Sequence, residues 1–168
     1  MSWSRAEVLA LATKAARGAG APAAQAALFG EAAALHLGQG RAAADLAQAL
    51  DHLPGGLIMD FPLQLQSLLL SAGETRTCTV EMATAGLPTL AQSYLDTLPH
   101  GCRVNAMSET SLGVTLDLTA PARSLPLVRA AECDGLMARM TELAARTFVP
   151  ESDASRRAGA GAGLTDND

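Results

Sequence analysis

Four cations, Lys14, Arg17, Arg146 and Arg156, are the residues whose types and positions best suggest a binding chemistry. Each lies near a break in the chain that contains glycine or proline. Arginine can hold a carboxylate or a phosphate through two parallel hydrogen bonds. If the four side chains converge, they would bind a small anionic ligand, and we take them as candidate ligand-binding residues.

The acidic residues of the C-terminal segment allow two further interpretations. Asp166, Asp168 and the terminal carboxylate could pair with the four cations and fasten the tail to the domain, which is the interpretation we favour. Glu151 and Asp153 could instead act as an acid/base pair beside the same cations. The ordinary explanation of Glu151 and Asp153 is two exposed carboxylates in a loop. An enzymatic role remains the alternative interpretation.

The remaining motifs argue against several chemistries. His36, His52 and His100 are isolated, and no two histidines have the spacing of a metal site. The sequence lacks the Gly-x-Ser-x-Gly elbow of many hydrolases. The glycines of residues 159–163 are not followed by Gly-Lys-Ser/Thr, which a phosphate-binding loop requires. We therefore predict no catalytic residue, no metal and no cofactor.

The composition predicts a globular protein of the cytoplasm. The 168 residues are 49% hydrophobic, and their net charge of −5 argues against a nucleic-acid partner and against an anionic membrane surface. The first residues lack the apolar stretch of a signal peptide, and no apolar run reaches the ~18 residues of a membrane span. Cys78, Cys102 and Cys133 are widely spaced, which is typical of reduced thiols.

The elements that must position these residues include a β-hairpin at residues 101–119. Its apolar residues alternate with polar ones, and a period of two places each set on one face of a strand. The predicted inward-facing residues are Cys102, Val104, Ala106, Leu112, Val114, Leu116 and Leu118. We further predict that Arg103 lies opposite Asp117 on the wet face, because opposite charges facing each other stabilise a strand pair.

Helices are predicted before and after the hairpin. Ser4 and Glu7 form a capping box at the start of the first one, and Asp134 caps the last one. The predicted helices cover about residues 5–18, 22–38, 41–53, 62–73, 88–98 and 134–147. A strand is predicted at residues 75–82, and another, at a sheet edge, at residues 127–132.

These elements predict an α+β fold in which an N-terminal helical layer packs on a small mixed sheet. The order after the helical layer is β-α-β-β-(β)-α, followed by an extended tail rich in glycine and alanine. Residues 1–150 form the single domain and residues 151–168 the tail. We expect a module that self-associates, as a dimer in the favoured case, or binds a partner, and whose tail docks. The alternative is an enzyme or small-molecule binder that uses the clustered cations.

Two segments resemble a bacterial protein family of unknown function. The first is ALATKAARGAG at residues 10–20. The second is RTFVP at residues 146–150, which continues through ASR at residues 154–156 to AGAGAGLTDND at residues 158–168. Residues 53–99 depart from the pattern of that family. The resemblance implies no catalytic residue, because no activity is established for the family.

A second, weaker resemblance is to the N-terminal helices of the malate/L-lactate dehydrogenase family of the non-Rossmann type. In that family a helix, a glycine-containing turn and a second helix lead to a Ser-His-Gly motif. The corresponding stretch here is LGQGR at residues 37–41, and Gln39 stands where the family has its histidine. The chain is also far shorter than that enzyme, so the resemblance implies at most a shared helical piece.

Overall fold

The computed structural model describes residues 1–147, which contain the helices and strands of an α+β fold. The helices are α1 (Arg5–Gly18), α2 (Ala23–Gly38), α3 (Ala43–Asp51), α4 (Leu57–Thr75), α5 (Pro88–Leu95) and α6 (Asp134–Ala145). The strands are β1 (Ser2–Trp3), β2 (Thr77–Ala83), β3 (His100–Met107), β4 (Ser111–Pro121) and β5 (Ala130–Ala131). The predicted fold class is thereby confirmed.

The start of the helical layer follows the sequence closely. The hydroxyl of Ser4 accepts a hydrogen bond from the backbone N–H of Glu7, and the carboxylate of Glu7 accepts one from the N–H of Ser4. This reciprocal pair is the predicted capping box. The last helix differs, because Cys133 is its cap and Asp134 is already its first residue. The carboxylate of Asp134 instead accepts a hydrogen bond from the indole N–H of Trp3, at 3.3 Å.

Helix α4 is longer than predicted at both ends. It begins at Leu57, five residues before Pro62, and it continues past Gly73 to Thr75. Proline lacks an N–H and costs ~3 kcal/mol inside a helix. Each large apolar side chain that is buried contributes roughly 1.5–3 kcal/mol, and the extra first turn buries three of them, those of Leu57, Ile58 and Phe61. Burial therefore outweighs the local cost of the proline.

The main sheet is antiparallel throughout, so the prediction of a mixed sheet is wrong. Its strand order is β2-β4-β3, with β4 between two strands that run in the same direction. The strand predicted at residues 127–132 is reduced to β5, which pairs with β1 and not with this sheet. Strands β2 and β3 do not pair with each other, because β4 lies between them. The connection from β2 through α5 to β3 therefore crosses over the position of β4.

The predicted inward face of the hairpin is confirmed except at Ala106, which is exposed and lies opposite Gly113, and the predicted register is wrong by two residues. Val114 and Leu116 are buried, whereas Arg103 is exposed. Arg103 lies opposite Thr115, and a one-residue shift in the pairing of β3 between Val104 and Ala106 accounts for one of the two steps. Over residues 101–104 a shift of two residues leaves the same side chains inside, so their burial cannot distinguish the two registers. The charge pair that would have distinguished them is worth only ~0.2–1 kcal/mol.

Candidate functional site

Three of the four candidate cations lie at one end of the helical layer. Lys14, Arg17 and Arg146 are exposed, and Arg156 lies outside the described residues. A Cβ atom built on Gly18 would lie 1.8 Å from the carbonyl oxygen of Leu143, so the ends of α1 and α6 are in direct contact. The structure therefore brings Arg17 and Arg146 onto adjacent helix ends, with Lys14 one turn earlier.

The contact also explains why cations suit this end. Trp3 and Asp134 meet at the opposite end of the same two helices, so α1 and α6 run parallel. The negative ends of their dipoles then lie side by side, and a cation at a helix C-terminus contributes about 0.3–1 kcal/mol. Arg17 is in the last turn of α1 and Arg146 is the cap of α6. A role in stabilising the helix ends thus stands beside the predicted anion site.

A second group, which we call the buried polar cluster, comprises His36, Arg41, Asp45, Ser93 and Asp96. The ring of His36 bonds to Ser93 Oγ through Nδ1, at 2.8 Å. Its Nε2 lies 2.9 Å from the carbonyl oxygen at position 42 and 3.5 Å from the carboxylate of Asp45. The guanidinium of Arg41 donates to Ser93 Oγ and to Asp96 Oδ2, both at 2.7 Å. The cluster joins α2, α3 and α5.

The partners of His36 fix its proton positions. The carbonyl oxygen of Ala42 can only accept, so Nε2 of the ring must carry a proton. Burial is the main influence on this ring and lowers the pKa of His36 below its usual value, whereas the Ala42 carbonyl and Asp45 act in the opposite direction. The ring is therefore neutral at pH 7, and its unprotonated Nδ1 accepts the single proton of the Ser93 hydroxyl at 2.8 Å, in preference to the carbonyl oxygen of Thr89, which lies 3.1 Å from the same Oγ.

The contacts of this cluster resemble those of a serine nucleophile with a histidine base, but the group is closed to substrates. His36 and Ser93 are both 0% exposed. A nucleophile must reach its substrate, so the arrangement serves to link helices. Sequence reasoning treated His36 as isolated, because its partner Ser93 is 57 positions away and no spacing rule connects them.

We expect the stability of the protein to fall below about pH 6.5. The pKa of His36 is lower in the folded state than in the unfolded state, so acid protonates the unfolded chain first. The loss should begin near the unfolded pKa and end below the folded one. Urea unfolding at pH 7.5 and pH 5 would measure it. The variant His36→Gln should show a smaller difference than wild type, and the exposed-site variant His52→Gln should match wild type.

The third group lies on the solvent side of α4, and we call it the α4 face. Its members are Leu63, Gln66, Ser67, Leu70 and Ser71. Leu63 is 56% exposed and Leu70 is 68% exposed. A cleft of about 320 Å³ separates the face from α2, and another of about 350 Å³ separates it from β2. The α4 face is thus a ridge between two clefts.

The α4 face also carries no charge. Residues 61–73 include no acidic or basic side chain, although the chain as a whole is 17% charged. Soluble globular domains are typically about 25% charged. The charged residues next to this stretch are Asp60 and Glu74, one at each end.

The described part of the chain, residues 1–147, contains no cluster of three or more potential metal ligands. It also contains no helix with the length and hydropathy needed to cross a bilayer. No protein-family model, curated protein or solved structure matches this chain. The two family resemblances of the sequence therefore stay hypotheses, and the function has to be argued from the residues.

Proposed function

We propose that this protein acts by binding another protein surface through the α4 face, and not by catalysis at the buried polar cluster. The observation that carries the proposal is the contrast between the two groups. The His36 and Ser93 side chains, which could do catalytic chemistry, are buried, whereas two leucines in the uncharged stretch 61–73 of α4 are open to solvent.

Single exposed leucines are common and need no explanation. The α4 face differs, because Leu63 and Leu70 are seven residues apart and so lie on one line of the helix. Interface cores are depleted in charged residues relative to the rest of a protein surface. The clefts on either side would admit side chains of a partner, as helix packing requires ridges to enter grooves.

A titration with a helical peptide tests the proposal. The probe is a synthetic amphipathic peptide with leucines at positions i, i+3 and i+7, which presents the kind of apolar stripe that helix-binding grooves accept. In protein with labelled leucine methyl groups, we expect saturable shifts at Leu63 and Leu70. The double variant Leu63→Gln/Leu70→Gln should not bind the peptide.

The control is Val128→Gln, which removes an exposed apolar side chain elsewhere, since Val128 is 67% exposed. This variant should bind the peptide like wild type. Equal binding by wild type and by the double α4 variant would contradict the proposal, as would shifts confined to residues outside the α4 face.

We also propose that the protein works in a reducing compartment, the cytoplasm. Cys78 and Cys102 both lie opposite Leu116, on the two outer strands of the sheet. Two strand spacings separate their Cα atoms by roughly 10 Å, beyond the ~7 Å limit for a disulfide. Burial, with a smaller effect from Asp96, raises the pKa of Cys102 to about 11. Such a thiol stays protonated and unreactive at neutral pH.

The predicted docking of the tail is the last part of the proposal. The adjacent ends of α1 and α6 offer Arg17 and Arg146 to the carboxylates of Asp166 and Asp168. We expect deletion of residues 159–168 to lower the melting temperature by about 2–4 °C, the shift expected for ~1 kcal/mol in a domain of this size. Calorimetry would measure the shift. An unchanged melting temperature would remove the docking model.

A further inference from the structure

We infer that the outer edge of β2 binds an extended peptide segment with basic residues, which adds a fourth strand to the main sheet. The inference goes beyond the proposed function, because the site is a strand edge and not the α4 face, and its ligand is a strand and not a helix. The hydrogen bonds of β2, the cleft beside it and the charge of Glu81 support it.

Alternate residues of β2 direct their backbone groups away from the sheet. Just past the end of β2, the N–H of Thr84 donates to the carbonyl oxygen of Thr110 beside β4. Since the pairing is regular, the even-numbered residues of β2 bond to β4, and the odd-numbered ones point their N–H and C=O groups outward. Within residues 1–147, no other residue forms a hydrogen bond with these outward groups of Thr79 and Glu81.

The same edge already binds an amide group at one end. The side-chain amide of Gln64, from α4, accepts a hydrogen bond from the N–H of Ala83 at 2.8 Å and donates one to its carbonyl oxygen at 3.1 Å. A residue of a neighbouring antiparallel strand would make this same pair of bonds. At the other end, the hydroxyl of Thr75 donates to the carbonyl oxygen of Thr77 at 2.7 Å. Side chains of this chain thus close both ends of the edge, and the open part lies between them.

The opposite edge of the sheet, formed by β3, suits a ligand strand less well. Its pairing with β4 shifts between Val104 and Ala106. Such a bulge disturbs the regular row of backbone groups that an added strand needs, and natural sheets protect their edges in this way. Strand β2 pairs without any shift over all seven of its residues. Its edge is therefore the one that can accept a further strand.

The cleft between α4 and β2 can receive alternate side chains of the added strand. Its volume is about 350 Å³, and its walls include Ser67, Leu68 and Ser71 of α4 and Val80 and Met82 of β2. Residues that lie opposite each other on neighbouring strands share one face of the sheet. Ligand residues opposite Val80 and Met82 would therefore enter the cleft, and these we expect to be apolar. Those opposite Thr79 and Glu81 would lie on the solvent face.

The charge of the ligand follows from Glu81. This residue is exposed, and none of the ion pairs among residues 1–147 includes it. A basic residue directly opposite Glu81 on the added strand would form a favourable cross-strand pair. The net charge of −5 also attracts a basic ligand, and it opposes the pairing of β2 with β2 of a second copy. The ligand is therefore an extended segment in which Lys or Arg alternates with apolar residues.

Methylated peptides test the backbone pairing on the full chain. The probe is a short peptide of alternating lysine and valine with blocked ends, and calorimetric titration measures its affinity. Methylation of the lysine backbone nitrogens removes the N–H groups that would bond to Thr79 and Glu81, so the affinity should fall by about tenfold or more. Methylation of the valine nitrogens, whose N–H groups would face away from β2, should leave the affinity unchanged.

Variants of β2 test the same site from the side of the protein. Thr79→Pro removes an outward N–H but no bond to β4, which an edge strand tolerates, and this variant should not bind the unmodified peptide. Thr79→Val keeps the N–H and should bind like wild type. Glu81→Gln should weaken binding by about threefold at low salt, and high salt should remove this difference. Circular dichroism would show that Thr79→Pro is folded, and the methylated peptides test the pairing independently of it.

The outcomes separate this inference from the proposed function. Equal affinities for the two methylated peptides, or tight binding by a folded Thr79→Pro, would overturn the inference. So would a dimer that Thr79→Pro disrupts, because β2 would then bind a second copy. If the helical peptide binds at the α4 face but the extended peptide does not bind, only the inference is overturned. If the extended peptide binds as described but the helical peptide does not bind, only the proposed function is overturned.

Discussion

Replacement of Arg41 by methionine is expected to lower the free energy of unfolding by about 3 kcal/mol. The guanidinium donates to both Ser93 and Asp96, and the side chains of Arg41 and Asp96 are only 15% and 20% exposed. Methionine fills similar space but leaves the carboxylate without its partner. A partly buried charge that loses its partner costs far more than the pair contributes while intact.

A second arginine provides the matched control. Arg139 pairs with Asp51 at the surface, where the two side chains are 43% and 50% exposed. The variant Arg139→Met should change stability by only about 0–1 kcal/mol, as is usual for exposed pairs. The loss of stability in Arg41→Lys should lie between those of Arg41→Met and Arg139→Met, since one ammonium group cannot bind both Ser93 and Asp96 as a guanidinium does. Equal losses in chemical denaturation for Arg41→Met and Arg139→Met would show that the buried polar cluster contributes little.

Much of the fold was predictable, because burial leaves a periodic record in the sequence. The capping box of α1 and the inward face of the hairpin, apart from Ala106, followed from local patterns alone. The predictions that were wrong concern features in which a local sequence signal competes with the burial of residues elsewhere in the chain. The start of α4 was missed because the buried residues before Pro62 outweigh a strong local signal for a helix start.

The buried polar cluster could not have been predicted in the same way. Arg41 and Asp96 are 55 positions apart, and only the packing of α5 against α2 brings them together. Neither residue belongs to a motif with fixed spacing. By contrast, the uncharged stretch of residues 61–73 was visible in the sequence. The sequence did not show which leucines of this stretch are exposed, because that depends on which elements pack against α4.

Replacement of Gly18 by alanine is expected to lower the free energy of unfolding by about 3 kcal/mol, the upper part of the usual range for overpacking. A Cβ atom at this position would lie 1.8 Å from the carbonyl oxygen of Leu143 and 2.7 Å from its carbonyl carbon. Both atoms belong to the backbone of α6, so no side chain can rotate away. The two parallel helices would have to separate, which would expose residues now buried on them, such as Val8 of α1 and Met140 of α6.

Gly73 is the matched control, because it also lies within a helix but has no atom within 4 Å of a built Cβ. Gly73→Ala should stabilise the protein by about 0.5–1 kcal/mol, since alanine restricts the unfolded chain more than glycine does. Opposite shifts of the melting temperature for the two variants are therefore expected in calorimetry. Stabilisation by Gly18→Ala as well would mean that α1 and α6 do not touch at this point. The adjacency of Arg17 and Arg146, on which the proposed tail docking depends, would then be lost with it.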